Sequence, residues 1–336
     1  MKNNLPRTTF QKNSLGKQIT REVVQGLPLV SIIIPCRNEE KYIKTRLDSL
    51  LADGYPFEKM EILVVDGMST DKTKGLIKEY SEKFSFIKLL DNPQRETPFA
   101  FNIGIRQARG EIIFLMSAHT FDKKGYIPKI IRYSKEYNAD SVIGIIKAVP
   151  SKNGLVAKAI AISLSHFFGV GNSYFRIGLN SPKWVDTAGT CYKREVFEKI
   201  GLFNEKLKRS QDMDFSIRMK KAEMKTLLVP DIVTYYYPKD NLKDFFIHNF
   251  EDGIWAIYPL KFTKTKFKLR HYIPLIFVLS LPLSIWFYIP VSLYFSAKIA
   301  LREKEIRYFF LMPIVFATRH IGYGLGSVWG LIKLII

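Results

Sequence analysis

From Leu29 onward the chain alternates short apolar runs with stretches whose apolar residues recur at helical spacing. "LVSIIIP" is rich in β-branched residues and stops at Pro35, the pattern of a strand buried on both faces. "NEEKYIKTRLDSLLAD" then sets Tyr42, Ile43, Leu47, Leu50 and Leu51 on one stripe, with Asn38 in place to cap the helix. The pair recurs: "EILVVD" before "STDKTKGLIKEYSEKF", "FIKLLD" before "TPFAFNIGIRQARG", "EIIFLM" before "GYIPKIIRYSKEY", and "ADSVIGI" before "GLVAKAIAISLSHFF". Such alternation predicts an α/β fold, a mostly parallel sheet covered by helices on both faces. In that architecture ligands gather outside the carboxyl ends of the strands. The rule selects residues 35–39 after the first strand, 66–71 after the second and 117–119 after the fourth.

Past residue 240 the pattern changes. "LKDFFIHNFEDGIWAIYPLKF" is aromatic with its charges to one side, as in a helix lying in a membrane interface. Residues 272–297 carry no charge over a length that could span a bilayer, with Pro274, Pro282 and Pro290 placed to bend or break the segment. A second apolar stretch, 308–336, is interrupted by Arg319 and His320 before the small residues of "GYGLGSVWG". The expected organisation is a basic N-terminal segment (1–28), an α/β domain (29–240), an interfacial amphipathic segment (241–271) and two membrane helices (272–336). A re-entrant or interfacial arrangement is the alternative to the two helices.

Charge adds a partner to this picture. With 51 Lys and Arg against 31 Asp and Glu the formal charge is +20, which calls for a polyanion or an anionic membrane surface. The basic residues condense in "KFTKTKFKLR", 261–270, where anionic lipids hold each charge by about 1 kcal/mol. Outside the membrane segment there is no interleaving of aromatic and basic residues and no reading motif, so nucleic acid is the disfavoured partner. Cys36 and Cys191 make neither a disulfide framework nor a zinc spacing, which suits a reducing compartment. The first 26 residues lack the apolar centre of a signal peptide, so the α/β domain is expected to stay on the cytoplasmic side.

The strand-end loops carry Glu39, Asp66 and Asp71, and "SQDMDFSIRM" further along adds Asp212 and Asp214. Most have a plain structural use as well. Asp71 can cap a helix, Glu39 and Glu40 can serve as first-turn charges, and Asp212 can cap the helix outlined by Phe215, Ile217 and Met219. Asp66, closing an apolar strand before Gly67, is harder to absorb in that way.

Taken in order, "VSIIIPCRNEE", "ILVVDGMSTDKT" and "NIGIRQARGEIIFLMSAH" resemble a family 2 glycosyltransferase with the nucleotide-sugar fold called GT-A. "FGVGNSYFR", "WVDTAGTCYKREVFEKIGLFNEKLKRSQDMDFSIRM" and "HNFEDGIWAIYPLK" extend the resemblance to the membrane-associated subgroup that includes the succinoglycan-biosynthesis glucosyltransferases. It covers roughly residues 29–335.

The resemblance implies roles for particular residues. Pro35, Arg37 and Glu39 would line the base and ribose of a nucleoside diphosphate, with Asp66 accepting a hydrogen bond from the pyrimidine or ribose. Ser117, Ala118 and His119 stand at the family's Asp-x-Asp or Asp-x-His motif, which holds Mg²⁺ or Mn²⁺ against the diphosphate. His119 can ligate through a neutral imidazole, whereas Ser117 brings no charge to a place where a carboxylate is expected. A serine and a histidine satisfying backbone groups at a strand end are the alternative. Gln211 and Asp212 match the acidic pair that opens a helix, which makes Asp212 the general base of an inverting transfer and Asp214 a positioning residue. Gly189 and Thr190 either leave room for an acceptor sugar or form an ordinary strand-end turn. Arg176 either grips a phosphate with its fork or makes a surface ion pair.

The function so implied is transfer of a hexose from a nucleoside-diphosphate sugar, a UDP-sugar first, to a lipid-linked saccharide at the cytoplasmic face of the cell membrane, in polysaccharide or glycan assembly. Two alternatives stay open: a synthase that loads the sugar directly onto polyprenyl phosphate, and a catalytically weak nucleotide-sugar-binding subunit, suggested by Ser117.

Overall fold

The structure, a computed structural model, describes residues 11–12, 18–19, 26–261 and 269–336. Most of the basic segment 1–28, and the basic cluster expected at 261–270 apart from its ends, lie outside the described residues. In chain order the main elements are β1 (Val30–Cys36), α1 (Ile43–Leu51), β2 (Met60–Asp66), α2 (Thr73–Lys83), β3 (Ile87–Asp91), α3 (Thr97–Gln107) and β4 (Ile112–Leu115). They continue with β5 (Thr120–Asp122), α4 (Tyr126–Glu136), β6 (Ser141–Ala148), α5 (Leu155–Ser163), β7 (Lys183–Val185), β8 (Cys191–Lys193) and α6 (Arg194–Ile200). The remainder is α7 (Gln211–Lys221), β9 (Thr226–Tyr236), α8 (Leu242–Ile257), α9 (Ile273–Leu279), α10 (Leu281–Glu303) and α11 (Arg307–Ile335). These form two compact units. The first holds the described residues of Met1–Ile143 with Lys183–Phe203 and Met219–Ile232; the second holds Gly144–Pro182, Asn204–Arg218 and Val233–Ile336.

The sheet orders its strands β3-β2-β1-β4-β8-β6-β9-β5, with β7 added to β9. The first four strands are parallel, and every residue of β2 is buried, which is why these segments read as unbroken apolar runs. The other half departs from the parallel pattern: β8 lies between β4 and β6, antiparallel to both, and β7 is antiparallel to β9. At three residues, β5, β7 and β8 are too short to show a period, and β9 carries Pro230.

Asn38 does not cap α1, which starts at Ile43. It takes a left-handed conformation (φ 56°), and its Oδ1 accepts the Thr70 amide at 2.9 Å, tying the loop after β1 to the loop after β2. The start of α4 is instead held by a carboxylate from far along the chain. Buried Asp53 accepts the Tyr126 amide at 2.8 Å and the Ile127 amide at 3.1 Å. Asp53→Ala strands both donors in the core and is expected to cost about 2 kcal/mol, read as a fall in the thermal midpoint of the purified protein.

In the second unit α8 and α11 approach at backbone contact. A Cβ on Gly326 would stand 1.9 Å from the Phe250 carbonyl oxygen, and one on Gly253 would stand 2.0 Å from that of Tyr323. With Gly322 and Gly330 buried one turn away on either side, α11 presents a small residue at every fourth position, the spacing that lets two helices meet without a layer of side chains. So α8, expected in the interface plane, spends one face on protein, with Phe245, Asn249, Gly253 and Ala256 buried.

Among the described residues one helix, α10, is long and apolar enough to cross a membrane. Leu283, Trp286 and Phe287 on it are each about three-quarters exposed. The uncharged run 272–297 is divided at Ser280: Pro274 and Pro282 open α9 and α10, where the missing N–H costs nothing, and Pro290 lies inside α10.

Candidate active site

In the first unit β1 and β2 end side by side, Cys36 opposite Asp66 and Asp66 opposite Asp91. Their loops are laced together: Asn38 N donates to Ser69 Oγ, Glu39 N to Thr73 Oγ1, and Glu40 N to Asp71 Oδ2. Asp71 also accepts the Thr73 amide at 3.0 Å, while the cap position of α2 falls on Lys72. Asp66 is fully buried and organises its own turn, accepting from the Ser69 amide at 3.0 Å and the Ser69 hydroxyl at 2.5 Å. Pro35 is half-buried beside it, and Arg37 is exposed.

The turn between β4 and β5 brings three of the selected residues together. His119 Nδ1 lies 2.9 Å from Glu39 Oε1, and Ser117 Oγ lies 3.2 Å from His119 Nε2. Half of the His119 side chain faces solvent, with Tyr42 edge-on at 6.5 Å. Glu39 therefore orients the histidine, a partnership the sequence did not suggest because the two residues are 80 positions apart. Beneath the turn, buried Arg46 of α1 donates to Asp122 at 2.5 Å and to the Thr120 carbonyl at 3.4 Å, fastening the chain just past His119. No cluster of three or more His, Cys, Asp or Glu side chains able to hold a metal occurs among the described residues. The donors on offer here, an imidazole and a hydroxyl, fit an ion shared with a ligand's own oxygens rather than one caged by protein alone.

In the second unit the start of α7 is held by α8. Arg209 pairs with Asp252 at 2.7 Å and with Glu251, and Ser210 Oγ donates to the Trp255 carbonyl at 2.6 Å. Ser210 sits at φ 61°, a left-handed conformation that costs a non-glycine residue about 1–2 kcal/mol and that these anchors maintain. Asp212 is therefore in the first turn of α7 rather than at its cap, with its side chain exposed and Oδ1 accepting the adjacent Met213 amide. Crowding by protein atoms, and then the Asp252 charge, push its carboxyl above the ordinary carboxylate range, against the pull of the Met213 amide and Arg176. Its solvent access tempers that rise. Gln211 beside it keeps a buried Oε1 with no partner among the described residues. Asp214 is buried and bonded to Arg218 at 2.9 Å, so it braces the helix.

Gly189 and Thr190 lie just before β8, in the bend that leads into that strand. A Cβ on Gly189 would lie 1.8 Å from Ser141 Oγ, and Thr190 donates to the Val142 carbonyl while accepting from the Leu115 amide. The glycine is thus required by strand packing. Among the described residues Arg176 makes no ion pair. Its Nη1 donates to the Tyr236 hydroxyl at 2.5 Å, and its guanidinium lies 5.2 Å from the centre of that ring. Sequence reasoning passed over Arg209, Glu251 and Asp252, although "KRSQD" and "HNFEDG" display the complementary charges.

Four parallel strands continued by an antiparallel half-sheet are the architecture of the GT-A glycosyltransferases. Residues 31–201 match the model of glycosyl transferase family 2. The chain is 31% identical over 317 residues, 90% of its length and 97% of the other's, to the dolichyl N-acetyl-alpha-D-glucosaminyl phosphate 3-beta-D-2,3-diacetamido-2,3-dideoxy-beta-D-glucuronosyltransferase of Methanococcus voltae. It is 25% identical over 225 residues, 66% of its length and 67% of the other's, to the succinoglycan biosynthesis protein ExoA of Rhizobium meliloti. The chain belongs to glycosyl transferase family 2 and is a glycosyltransferase. Its fold is shared with a mannosyltransferase of Pyrobaculum calidifontis solved with GDP-Man and Mn²⁺, at a TM-score of 0.59 and 20% identity over 91% of this chain and 88% of that one.

Proposed function

We propose that the protein is an inverting glycosyltransferase that moves a hexose or hexose-derived sugar from a nucleoside diphosphate, UDP in the first instance, to a lipid-linked saccharide at the cytoplasmic face of the membrane. The observation that carries this reading is that one compact unit contains both Asp212 and the apolar helix α10. An acceptor whose sugar must reach a base beside a membrane segment is one that a lipid would hold there. The Methanococcus voltae relative, whose name specifies a dolichyl-linked sugar phosphate as acceptor, supports the same class.

In this reading Asp212 takes the proton of the acceptor hydroxyl as that oxygen attacks the anomeric carbon from the face opposite the leaving diphosphate. A carboxyl raised above its usual range is the stronger base once ionised. Pro35, Arg37 and Asp66 serve the nucleotide. Ser117 and His119, with Glu39 behind the imidazole, would hold Mn²⁺ or Mg²⁺, which when bound neutralises the charge of the diphosphate.

Purified full-length protein, supplied with Mn²⁺ and a panel of UDP- and GDP-sugars, is expected to hydrolyse or transfer at least one; turnover of none would sink the proposal. Mass analysis of the lipid product separates extension of a lipid-linked glycan from direct loading of polyprenyl phosphate, and UDP binding without turnover would favour a binding subunit.

Two further outcomes follow from the site. The transfer rate rises with pH as Asp212 ionises, so its acidic limb should lie above the usual carboxylate value of about 3.9. Asp252→Asn removes a charge that raises Asp212 and is expected to move that limb to lower pH; a limb that stays in place or moves up would separate the two residues. Ser117→Asp supplies the missing carboxylate and is expected to tighten Mn²⁺ binding about tenfold or more by calorimetry. Unchanged affinity would put the ion elsewhere.

A further inference from the structure

Two arginines of the second unit are built into the protein through neutral partners alone. Arg176 bonds the Tyr236 hydroxyl and lies against the rings of Tyr236 and Phe175. Arg319, midway along α11, donates Nε to the Gly169 carbonyl at 2.7 Å and Nη1 to Asn249 Oδ1 at 2.8 Å. Among the described residues neither is in an ion pair, and these bonds leave Nη2 of each fork unused. Both side chains are half-buried.

The two guanidinium groups are within electrostatic reach of one another, and Arg176 is within reach of Asp212. Asp252, the carboxylate within reach of Arg319, is bonded to Arg209 at 2.7 Å with His248 at 3.5 Å. Holding two like charges close together, partly out of water and each bonded only to uncharged groups, is unfavourable. Arg319 also interrupts an apolar stretch of its helix, which adds to that cost. A phosphate between the two forks reverses the balance, since each guanidinium can give a charge-assisted bond.

We propose that Arg176 and Arg319 clamp the phosphate or diphosphate that joins the acceptor's sugar to its lipid. The proposal rests on the reading that the acceptor is lipid-linked, and it names the group by which that acceptor is recognised. Three placements favour the acceptor over the donor nucleotide. Asp212, which must face the acceptor hydroxyl, is within electrostatic reach of Arg176. Arg319 belongs to a helix bonded to α10, through His320 Nδ1 and the Tyr288 hydroxyl 2.9 Å apart. The loops assigned to the nucleotide belong to the first unit, whereas both arginines belong to the second. A prenyl phosphate has the matching build, an apolar chain on one side of the anion and a sugar on the other.

The test is calorimetry on the full-length protein in detergent micelles, with farnesyl diphosphate as probe, farnesol as the uncharged control, and UDP and GDP as the donor arm. Arg176→Gln and Arg319→Gln are each expected to weaken farnesyl diphosphate binding tenfold or more, to leave any farnesol binding unaltered, and to keep nucleotide affinity within twofold. In the transfer assay the KM for the lipid acceptor should rise, while the KM for the donor stays within twofold. Unchanged farnesyl diphosphate affinity in both variants would overturn the clamp, and an equal loss of UDP or GDP affinity would assign the arginines to the donor. Arg319→Gln also removes the donors to Gly169 and Asn249. If it does not fold, Arg176→Gln, which breaks one bond to a tyrosine hydroxyl, decides alone. Failure of the clamp alone leaves transfer onto the lipid acceptor with an unaltered KM in the variants, whereas failure of the proposed function appears as absence of transfer by the unaltered protein.

Discussion

Asp212→Asn is expected to lower the turnover of sugar transfer about a thousandfold while donor affinity stays within twofold, measured as steady-state transfer beside nucleotide calorimetry. The size follows from what a positioned carboxylate contributes when it accepts a proton in the transition state, about 10²–10⁴-fold. Donor affinity is spared because the loops assigned to the nucleotide, at the ends of β1 and β2, belong to the other unit. The asparagine keeps the shape of the side chain and can still accept the Met213 amide, so the first turn of α7 should be undisturbed. Asp214→Asn makes the contrast: it weakens the Arg218 pair inside the helix and should cost stability more than turnover. Equal turnover losses in the two variants would remove Asp212 from the role of base.

Gly326→Val is expected to unfold the second unit or lower its stability by about 3 kcal/mol or more, followed by circular dichroism during heating in detergent. The added Cβ meets the Phe250 carbonyl oxygen at 1.9 Å and the carbonyl carbon at 2.7 Å. Backbone atoms cannot rotate aside, so α8 and α11 must separate, and with them the bonds of Arg319 to Asn249 and of Ser327 to Gly253. Because α8 also carries the anchors of Arg209 and Ser210, the geometry at Asp212 should loosen together with the helix pair. Gly75→Ala is the matched control. No atom lies within 4 Å of its Cβ, it is exposed on α2, and it should gain about 0.5–1 kcal/mol through the unfolded chain. A Gly326→Val protein as stable as the parent would mean that the helices are not in backbone contact.

Much of the first unit was legible because a buried parallel strand must be apolar throughout. "LVSIIIP" and "EILVVD" announce β1 and β2, and the helices between them follow from their stripes. Burial of one face is a local demand, written into consecutive residues. Pairing is not local. Nothing near "CYK" reveals that it lies between β4 and β6, because that place depends on edges supplied by residues up to 81 positions distant. Asn38 looked like a helix cap because Asn satisfies free amides, and it does so, but for Thr70 across the gap between two loops. Gly189 looked like room for a sugar, and the room is taken by Ser141.

For the chemistry the division is similar. The side chains that could act are legible in the residue types at strand ends and at the start of α7: Asp66, Ser117, His119 and Asp212. Their partners come from folding: Glu39 on His119, Arg46 beneath that turn, Arg209 and Ser210 tied to α8, and Arg176 and Arg319 bonded to neutral groups. The physical reason is that a side chain's chemical type is carried by one residue, whereas its orientation, its charge environment and the room around it are set by groups that meet only when distant segments fold together.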